Sequence, residues 1–317
     1  MKHAAICIAT YRRPEGLQAL LGSLITQQVP DGWKCEVRVV NNDPHADRER
    51  WEAAVAEAYP GAVTAFEPRR NIAHARNTAI AIGRADAYLF IDDDEVPAEG
   101  WLAALISRLE DADAVFGPVV GRVPDKAPRW LVRSGVFDKP GPDHDGNIGW
   151  NLTRTSSTAV SGRWIGLADR WFAADYGTSG GSDVEFFRRI AGEGARFVHE
   201  RRALVYEDVE PDRCTWKAVL RRRYRAGAVH GRMERAQSQS IRHLLAIKRV
   251  VAGAGFCIAG LVPLCCGRPG VFFHGICKAA VGVGAWRGHN NQYRVTRYPS
   301  GVSLEAGKGG AACALPS

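Results

Sequence analysis

Apolar and polar positions fall into alternating blocks along the first third of the chain. Ala4–Thr10 is a short run of apolar and β-branched residues closed by a polar turn, the pattern of a buried strand. Glu15–Gln27 then sets Leu17, Leu20, Leu21, Leu24 and Ile25 at helical spacing, with Pro14 suited to the first turn. The alternation continues. Val37–Val40 predicts a second strand, stopped by Asn41, Asn42, Asp43 and Pro44; Asp47–Tyr59 predicts a second helix and Val63–Phe66 a third strand. Ile72–Ile82 reads as a third helix with Asn71 as its N-cap. Tyr88–Ile91 reads as a fourth strand halted by four consecutive acids, followed by a helix over Pro97–Leu109 and a fifth strand over Ala114–Gly117.

Strand and helix thus alternate roughly every 25–30 residues, which predicts an α/β fold with a mostly parallel sheet flanked by helices. Right-handed crossovers put the loops that follow parallel strands along one sheet edge. The polar clusters Thr10–Arg13, Asn41–Asp43 and Asp92–Glu95 all follow strands, so they are expected to share one crevice.

The pattern then changes. Residues 120–180 are rich in Gly, Pro, Trp, Asp and Ser/Thr with little periodicity, and read as functional loops. A helix over 183–192 and a strand over Arg196–Val205 follow. Trp216–Arg235 is a basic amphipathic helix with Trp216, Val219, Leu220 and Tyr224 on one face. Val250–Cys266 carries no charge, and Val271–Trp286 is apolar apart from His274 and Lys278. Each falls short of the about 20 residues of a full membrane span. Three readings stand: an interfacial segment, a re-entrant or short hairpin, and a pair of buried core helices. The adjoining basic segment favours the first, lying against the anionic cytoplasmic membrane surface.

Composition sharpens this. The 317 residues are 46% hydrophobic and 24% charged, ordinary for a globular protein of one large domain or two. The net charge of +8 is local: residues 201–250 hold thirteen Lys/Arg against five Asp/Glu, and the remainder is neutral. A surplus so confined argues against general nucleic-acid binding and for a local anionic contact. Cys7, Cys35, Cys214, Cys257, Cys265, Cys266, Cys277 and Cys313 form no CxxC pair and read as thiols of a reducing compartment. No signal peptide is legible in Met1–Arg13, so the expected location is cytoplasmic, at the inner face of the cell membrane.

Candidate chemistry centres on Asp92, Asp93, Asp94 and Glu95. Four carboxylates beside an apolar strand are costly unless a cation neutralises them, and hard oxygen ligands suit Mg²⁺ or Mn²⁺. An acidic turn capping the next helix is the alternative. Thr10, Tyr11 and Arg13 follow the first strand, where Tyr11 can stack on a nucleobase. Asn41, Asn42 and Asp43 can hydrogen-bond a base and ribose, or simply make an Asx turn. Asn71 and Arg76 lie on one helix, with Arg76 a candidate phosphate or base contact. Asp183, after Gly180 and Gly181, is either a helix cap or a general base on a glycine hinge. Arg221 and Arg225, in a run of arginines, share a helix side and can meet a diphosphate. No GxGxxG, P-loop, GxSxG elbow or zinc spacing is present, which sets aside dinucleotide oxidoreductases, P-loop enzymes and serine hydrolases of that type.

The segments IATYRRP, VVNND, NIAHARNTAI, LFIDDDEVP and GGSDVEFFRRI, in this order over roughly residues 4–230, resemble glycosyltransferase family 2, and most nearly its bacterial exopolysaccharide-assembly enzymes. The resemblance implies a GT-A fold over 1–235, divided into a nucleotide-sugar-binding half (1–118) and an acceptor and catalytic half (119–235). Beyond the resemblance, charge and hydropathy alone predict a basic, apolar membrane-associating segment with a helical tail over residues 236–299, and composition a flexible end over 300–317. The resemblance further implies inverting transfer from a nucleotide-diphosphate sugar, expected to be UDP-linked, to a glycan or lipid-linked acceptor with Mg²⁺ or Mn²⁺. By position, Asp94 would ligate the metal and Asp92 or Asp93 touch ribose. Tyr11 and Asn41–Asp43 would hold the nucleobase, Asp183 would be the general base with Glu185 in reserve, and the Arg221–Arg225 stretch would meet the diphosphate. Two rivals remain: a nucleotidyltransferase that makes a nucleotide sugar, and a non-enzymatic basic module apposed to the membrane.

Overall fold

The computed structural model describes residues 1–167, 171–177, 180–236, 238–265 and 270–290. The first elements are β1 (Lys2–Thr10), α1 (Pro14–Ile25), β2 (Trp33–Asn41), α2 (Arg48–Ala58), β3 (Val63–Phe66), α3 (Ile72–Ala81), β4 (Ala87–Phe90), β5 (Glu95–Pro97), α4 (Trp101–Arg108) and β6 (Ala114–Phe116). There follow β7 (Val119–Arg122), α5 (Arg129–Ser134), β8 (Gly146–Asn147), β9 (Thr158–Ser161), α6 (Gly162–Leu167), α7 (Ala174–Gly177), α8 (Ser182–Gly192), β10 (Phe197–His199) and β11 (Val205–Asp208). The helices α9 (Trp216–Met233), α10 (Gln239–Ala259), α11 (Leu261–Cys265) and α12 (Gly270–His289) complete the described chain.

β1 is a continuous apolar strand because it is covered on both faces, as central parallel strands are. Ile6 and Ile8 face one core with α1, α2 and α4, whereas Ala5 and Cys7 face a second core with α3, α6 and α8. The main sheet runs β3-β2-β1-β4-β9-β6-β10-β8. β1, β2, β3 and β4 are mutually parallel, and β9 enters antiparallel between β4 and β6. A second sheet, β5-β11-β7, lies beyond the end of β4.

Three sequence expectations are corrected here. The helix expected over Pro97–Leu109 begins only at Trp101, because Gly100 (φ 74°) breaks the chain and Glu95–Pro97 pairs with β11 instead. The strand expected over Arg196–Val205 is two strands in different sheets, divided by a turn in which Ala203 N–H donates to Glu200 O. Residues 120–180 are not all loop: β9 is buried at Thr158, Ala159 and Val160 and completes the sheet.

At the C-terminal end α12 lies between α9 and α10. A Cβ on Gly227 of α9 would strike the Val281 carbonyl, and one on Gly282 of α12 would come within 2.6 Å of Val250 on α10. Only glycine permits both approaches. Glu234 ties the three helices: Arg249 of α10 donates to it, and His289 Nε2 of α12 lies 2.9 Å from its Oε2. Of the two apolar stretches, the second is therefore largely an internal helix. Among the described residues no helix is long and apolar enough to cross a membrane. Cys7, Cys35, Cys214, Cys257, Cys265 and Cys277 are free thiols; Cys266, Cys313 and residues 300–317 lie outside the described residues.

Candidate active site

The parallel strands β1, β2 and β4 deliver Thr10–Arg13, Asn41–Asp43 and Asp92–Asp94 to one sheet edge, where their side chains meet. Thr10 Oγ1 donates to Asp93 Oδ2 (2.8 Å), as does the Tyr11 N–H (3.3 Å). Arg12 donates to both oxygens of Asp43 (2.6 and 3.3 Å) and holds that carboxyl below its ordinary range. This clamp fixes Arg12 in a left-handed conformation (φ 55°) that non-glycine residues seldom adopt. The turn aims Tyr11, whose ring has the guanidinium of Arg12 at 5.1 Å and that of Arg70 at 4.9 Å.

The asparagines nearby hold the crevice together. Asn42 Nδ2 donates to the carbonyls of Glu67 and Arg69 (both 2.8 Å), and its Oδ1 accepts from Asn71 N. Asn71 Oδ1 caps α3 through Ala73 N, while its Nδ2 donates to Ala174 O (2.9 Å). Asn41 Oδ1 accepts from Asp43 N. All three are buried; Asn42 and Asn71 spend both amide atoms on protein partners and so shape the crevice.

The acidic tip is sorted by exposure. The Asp93 side chain is 7% exposed, against 15% for Asp94 and 36% for Asp92. Asp93 is committed to Thr10 and to Arg13 (3.0 Å), which leaves Asp92 as the more reachable of the two carboxylates expected at a ribose. Asp92 accepts from Arg76 (2.8 Å), placing Arg76 at the crevice. Asp94 accepts from Arg13 (2.9 Å) and lies 3.6 Å from Arg213. Burial, then the neighbouring Asp92 charge, pushes the Asp94 carboxyl up. Burial likewise raises Glu95, which sits across the strand pair from Glu207. Glu207 goes the other way. Burial alone would raise it, but Lys139, Arg222 and Arg213 outweigh that and bring it down to about 2. Lys139 donates to one oxygen (2.8 Å) and Arg213 to the other (2.6 Å).

Asp183 stands in the first turn of α8, half-buried. Gly180 and Gly181 before it have φ of 90° and 96°, and a Cβ on Gly181 would strike Val229 of α9. The buried Arg154 guanidinium, anchored on the carbonyls of Gly117, Lys139 and Leu152, lies in the field of Glu95 and then Asp183. Through it, the α8 terminus and the acidic tip share one electrostatic neighbourhood. Glu185 is paired with Arg189 (3.5 Å) on its own helix. Of the arginine run, Arg222 reaches Glu207 (3.7 Å), Arg223 donates to Val136 O, Arg225 is half-buried and Arg221 is exposed.

Sequence reasoning did not single out Arg12, Arg70, Lys139, Arg154, Glu207, Arg213 or Glu210, the last of which accepts from Arg13 Nε (3.0 Å). A signal existed for three of them. Glu207 and Glu210 follow a predicted strand, as Asp92–Asp94 do, and Arg213 follows them directly. Arg154 carried none, because only the folded chain brings it to Glu95.

The residues fit a hard divalent cation. Asp92 and Asp94 present carboxylate oxygens at an accessible edge, with their side chains 36% and 15% exposed. Among the described residues no group of three or more His, Cys, Asp or Glu side chains is placed to hold a metal ion. Mg²⁺ needs none, since it is usually held by one or two carboxylates with substrate phosphates and water.

Comparison with known proteins identifies the fold and the family. The family model described as Glycosyl transferase family 2 matches residues 5–163. The chain is 32% identical over 264 residues to the succinoglycan biosynthesis protein ExoM of Rhizobium meliloti (strain 1021), covering 82% of this chain and 84% of that protein. Its fold is similar to that of S. aureus TarS 1–349 solved in complex with UDP, with a TM-score of 0.52 and 13% identity over 97% of this chain and 98% of that one. A longer TarS structure gives a TM-score of 0.51 at 16% identity; there 78% of this chain is covered but only 42% of TarS. These likenesses establish an α/β, GT-A-like sheet flanked by helices. By its family match and its similarity to ExoM, the chain belongs to glycosyltransferase family 2.

Proposed function

We propose that this glycosyltransferase moves a sugar from a nucleotide-diphosphate donor to a hydroxyl of a glycan or lipid-linked acceptor, with inversion, in the assembly of a cell-surface polysaccharide. The observation that carries the reading is that one sheet edge brings together Asp93 and Asp94 with Tyr11, Arg13 and Arg213, Asp92 with Arg76, and Asp43 with Arg12. The likeness to ExoM supports a polysaccharide product, and the likeness to TarS with UDP supports a uridine nucleotide donor.

Each part of the crevice then has a task. Tyr11 stacks on the nucleobase, braced by Arg12 and Arg70. Asp92 accepts a ribose hydroxyl. Asp94, with Asp92, would hold Mg²⁺ or Mn²⁺, which when bound neutralises charge on the departing diphosphate. Arg13, Arg213 and Arg222 add fixed positive charge beside the same leaving group. Asp183 removes the acceptor hydroxyl proton as that oxygen bonds to the anomeric carbon and the bond from carbon to diphosphate oxygen breaks. Attack opposite the leaving group inverts the centre in one step. Arg154, in the field of Glu95 and then Asp183, sets a fixed positive charge near the start of α8.

The test is a panel of nucleotide sugars assayed for Mn²⁺-dependent release of nucleoside diphosphate. One uridine-linked sugar is expected to be cleaved far faster than the rest. Release of pyrophosphate from a nucleoside triphosphate, with no cleavage of any nucleotide sugar, would overturn the reading.

A further inference from the structure

The helix α10 contacts α12 with one side only. Ala246 and Gly253 are buried there, and Gly253 lies against Ala279. Its other side carries Ile241, Leu244, Ile247, Val251 and Ile258 at the three- and four-residue intervals of one helix face, all exposed. Leu244 is 65% and Ile258 70% exposed. Leu261 and Val262 of α11 prolong the same exposed run. The helix has 21 residues, so the stripe extends about 30 Å. A continuous apolar strip of that length is unusual on a free protein surface.

Its charges point to what covers it. Residues 235–290 contain seven Lys/Arg and no Asp/Glu. Lys248 is exposed beside the stripe, and the half-buried Lys278 of α12 holds its ammonium over the Phe256 ring, 4.1 Å from the centroid. Arg287 is exposed at the end of α12. An apolar face with an exposed lysine on it, in a segment whose only charges are positive, is complementary to a surface that is apolar within and negative outside. A second copy of the chain laid on this stripe would bring like charges together.

We propose that the outer face of α10, prolonged by α11, docks on an anionic lipid surface, with Leu244, Val251 and Ile258 entering the acyl boundary and Lys248 meeting lipid phosphates. The helix α12 takes no part except as the internal support that presents α10. This surface goes beyond the transfer reaction proposed above and does not depend on it.

The full-length protein is sedimented with vesicles of phosphatidylcholine alone, or of phosphatidylcholine mixed with phosphatidylglycerol. The wild type is expected to pellet with the anionic vesicles and far less with the neutral ones. Leu244→Asp together with Ile258→Asp should weaken that partition by about a hundredfold. Lys248→Glu, an exchange of one exposed charged side chain for another, should weaken it by about tenfold and only on anionic vesicles. Thermal melts and vesicle-free donor cleavage of both variants should match the wild type. Three results would overturn the proposal: a wild type that stays in the supernatant with both vesicles, variants that pellet like it, or a vesicle-free dimer that the double variant dissociates.

Discussion

Arg12, Asp183 and Glu67 show how single side chains set this crevice. Asp183 is reachable at a helix start, whereas Glu185 is tied to Arg189. Asp183→Asn should therefore lower kcat by about 10²–10⁴-fold with little change in donor KM, and Glu185→Gln should leave most of the activity. Transfer of labelled sugar checks both, and an unimpaired Asp183→Asn enzyme would remove that residue from the chemistry. Glu67 supports the turn from below. Arg69 donates to both its oxygens and Thr78 to one, and the Arg69 hydrogen bond leads in lowering the carboxyl from 4.5 to about 2. A carboxyl held low in the native state stabilises it above the unfolded value, and that gain disappears as pH falls through the native one. Melting temperature should thus drop between about pH 4.5 and 2 more steeply in the wild type than in Glu67→Gln. Arg12 was passed over in the sequence because its neighbours Tyr11 and Arg13 carry the more familiar chemistry. Only the fold reveals that its strained backbone and its bond to Asp43 aim Tyr11.

At the scale of elements, the parallel strands were legible because each is followed by an amphipathic helix of ordinary length. β9 was not, since four residues, Thr158–Ser161, give too short a run to show a period. The second sheet was hidden for a related reason: Glu95–Pro97 is shorter still, and its carboxylate belongs by sequence to the acidic run before it. The start of α8 was readable as a glycine hinge, but not the cause, which is the contact of Gly181 with Val229. Gly181→Ala must combine a Cβ at φ 96° with that overlap and should cost about 2–4 kcal/mol in urea unfolding. Gly192→Ala, at the other end of the same helix and with open space around it, should instead stabilise by about 0.4–1 kcal/mol. Equal effects at the two glycines would contradict this account of the hinge.

Across the whole molecule, the transfer domain and the C-terminal helices are one packed unit. Phe273 and Cys277 of α12 join Leu131, Phe137 and Val219 in a common core, and Gly227 and Gly231 of α9 admit α12. The sequence sets residues 236–299 apart as a basic, apolar membrane-associating segment because charge and hydropathy change abruptly near residue 236; neither property records which face of a helix is covered. A chain ending at residue 236 should lose several degrees of melting temperature and aggregate, as light scattering on heating would reveal; a truncated chain that melts like the whole would mean the helices are dispensable to the fold. What unites these scales is the acidic tip of β4, taken as the seat of a divalent ion that carries the donor diphosphate. Calorimetric titration of UDP into the wild type and Asp94→Ala, each with Mn²⁺ and with EDTA, tests that directly. The account predicts tight binding only in the wild type with Mn²⁺, and at least about tenfold weaker binding in the other three cases. Equal affinity in all four would mean that Asp94 holds no ion and that the arginines alone bind the diphosphate.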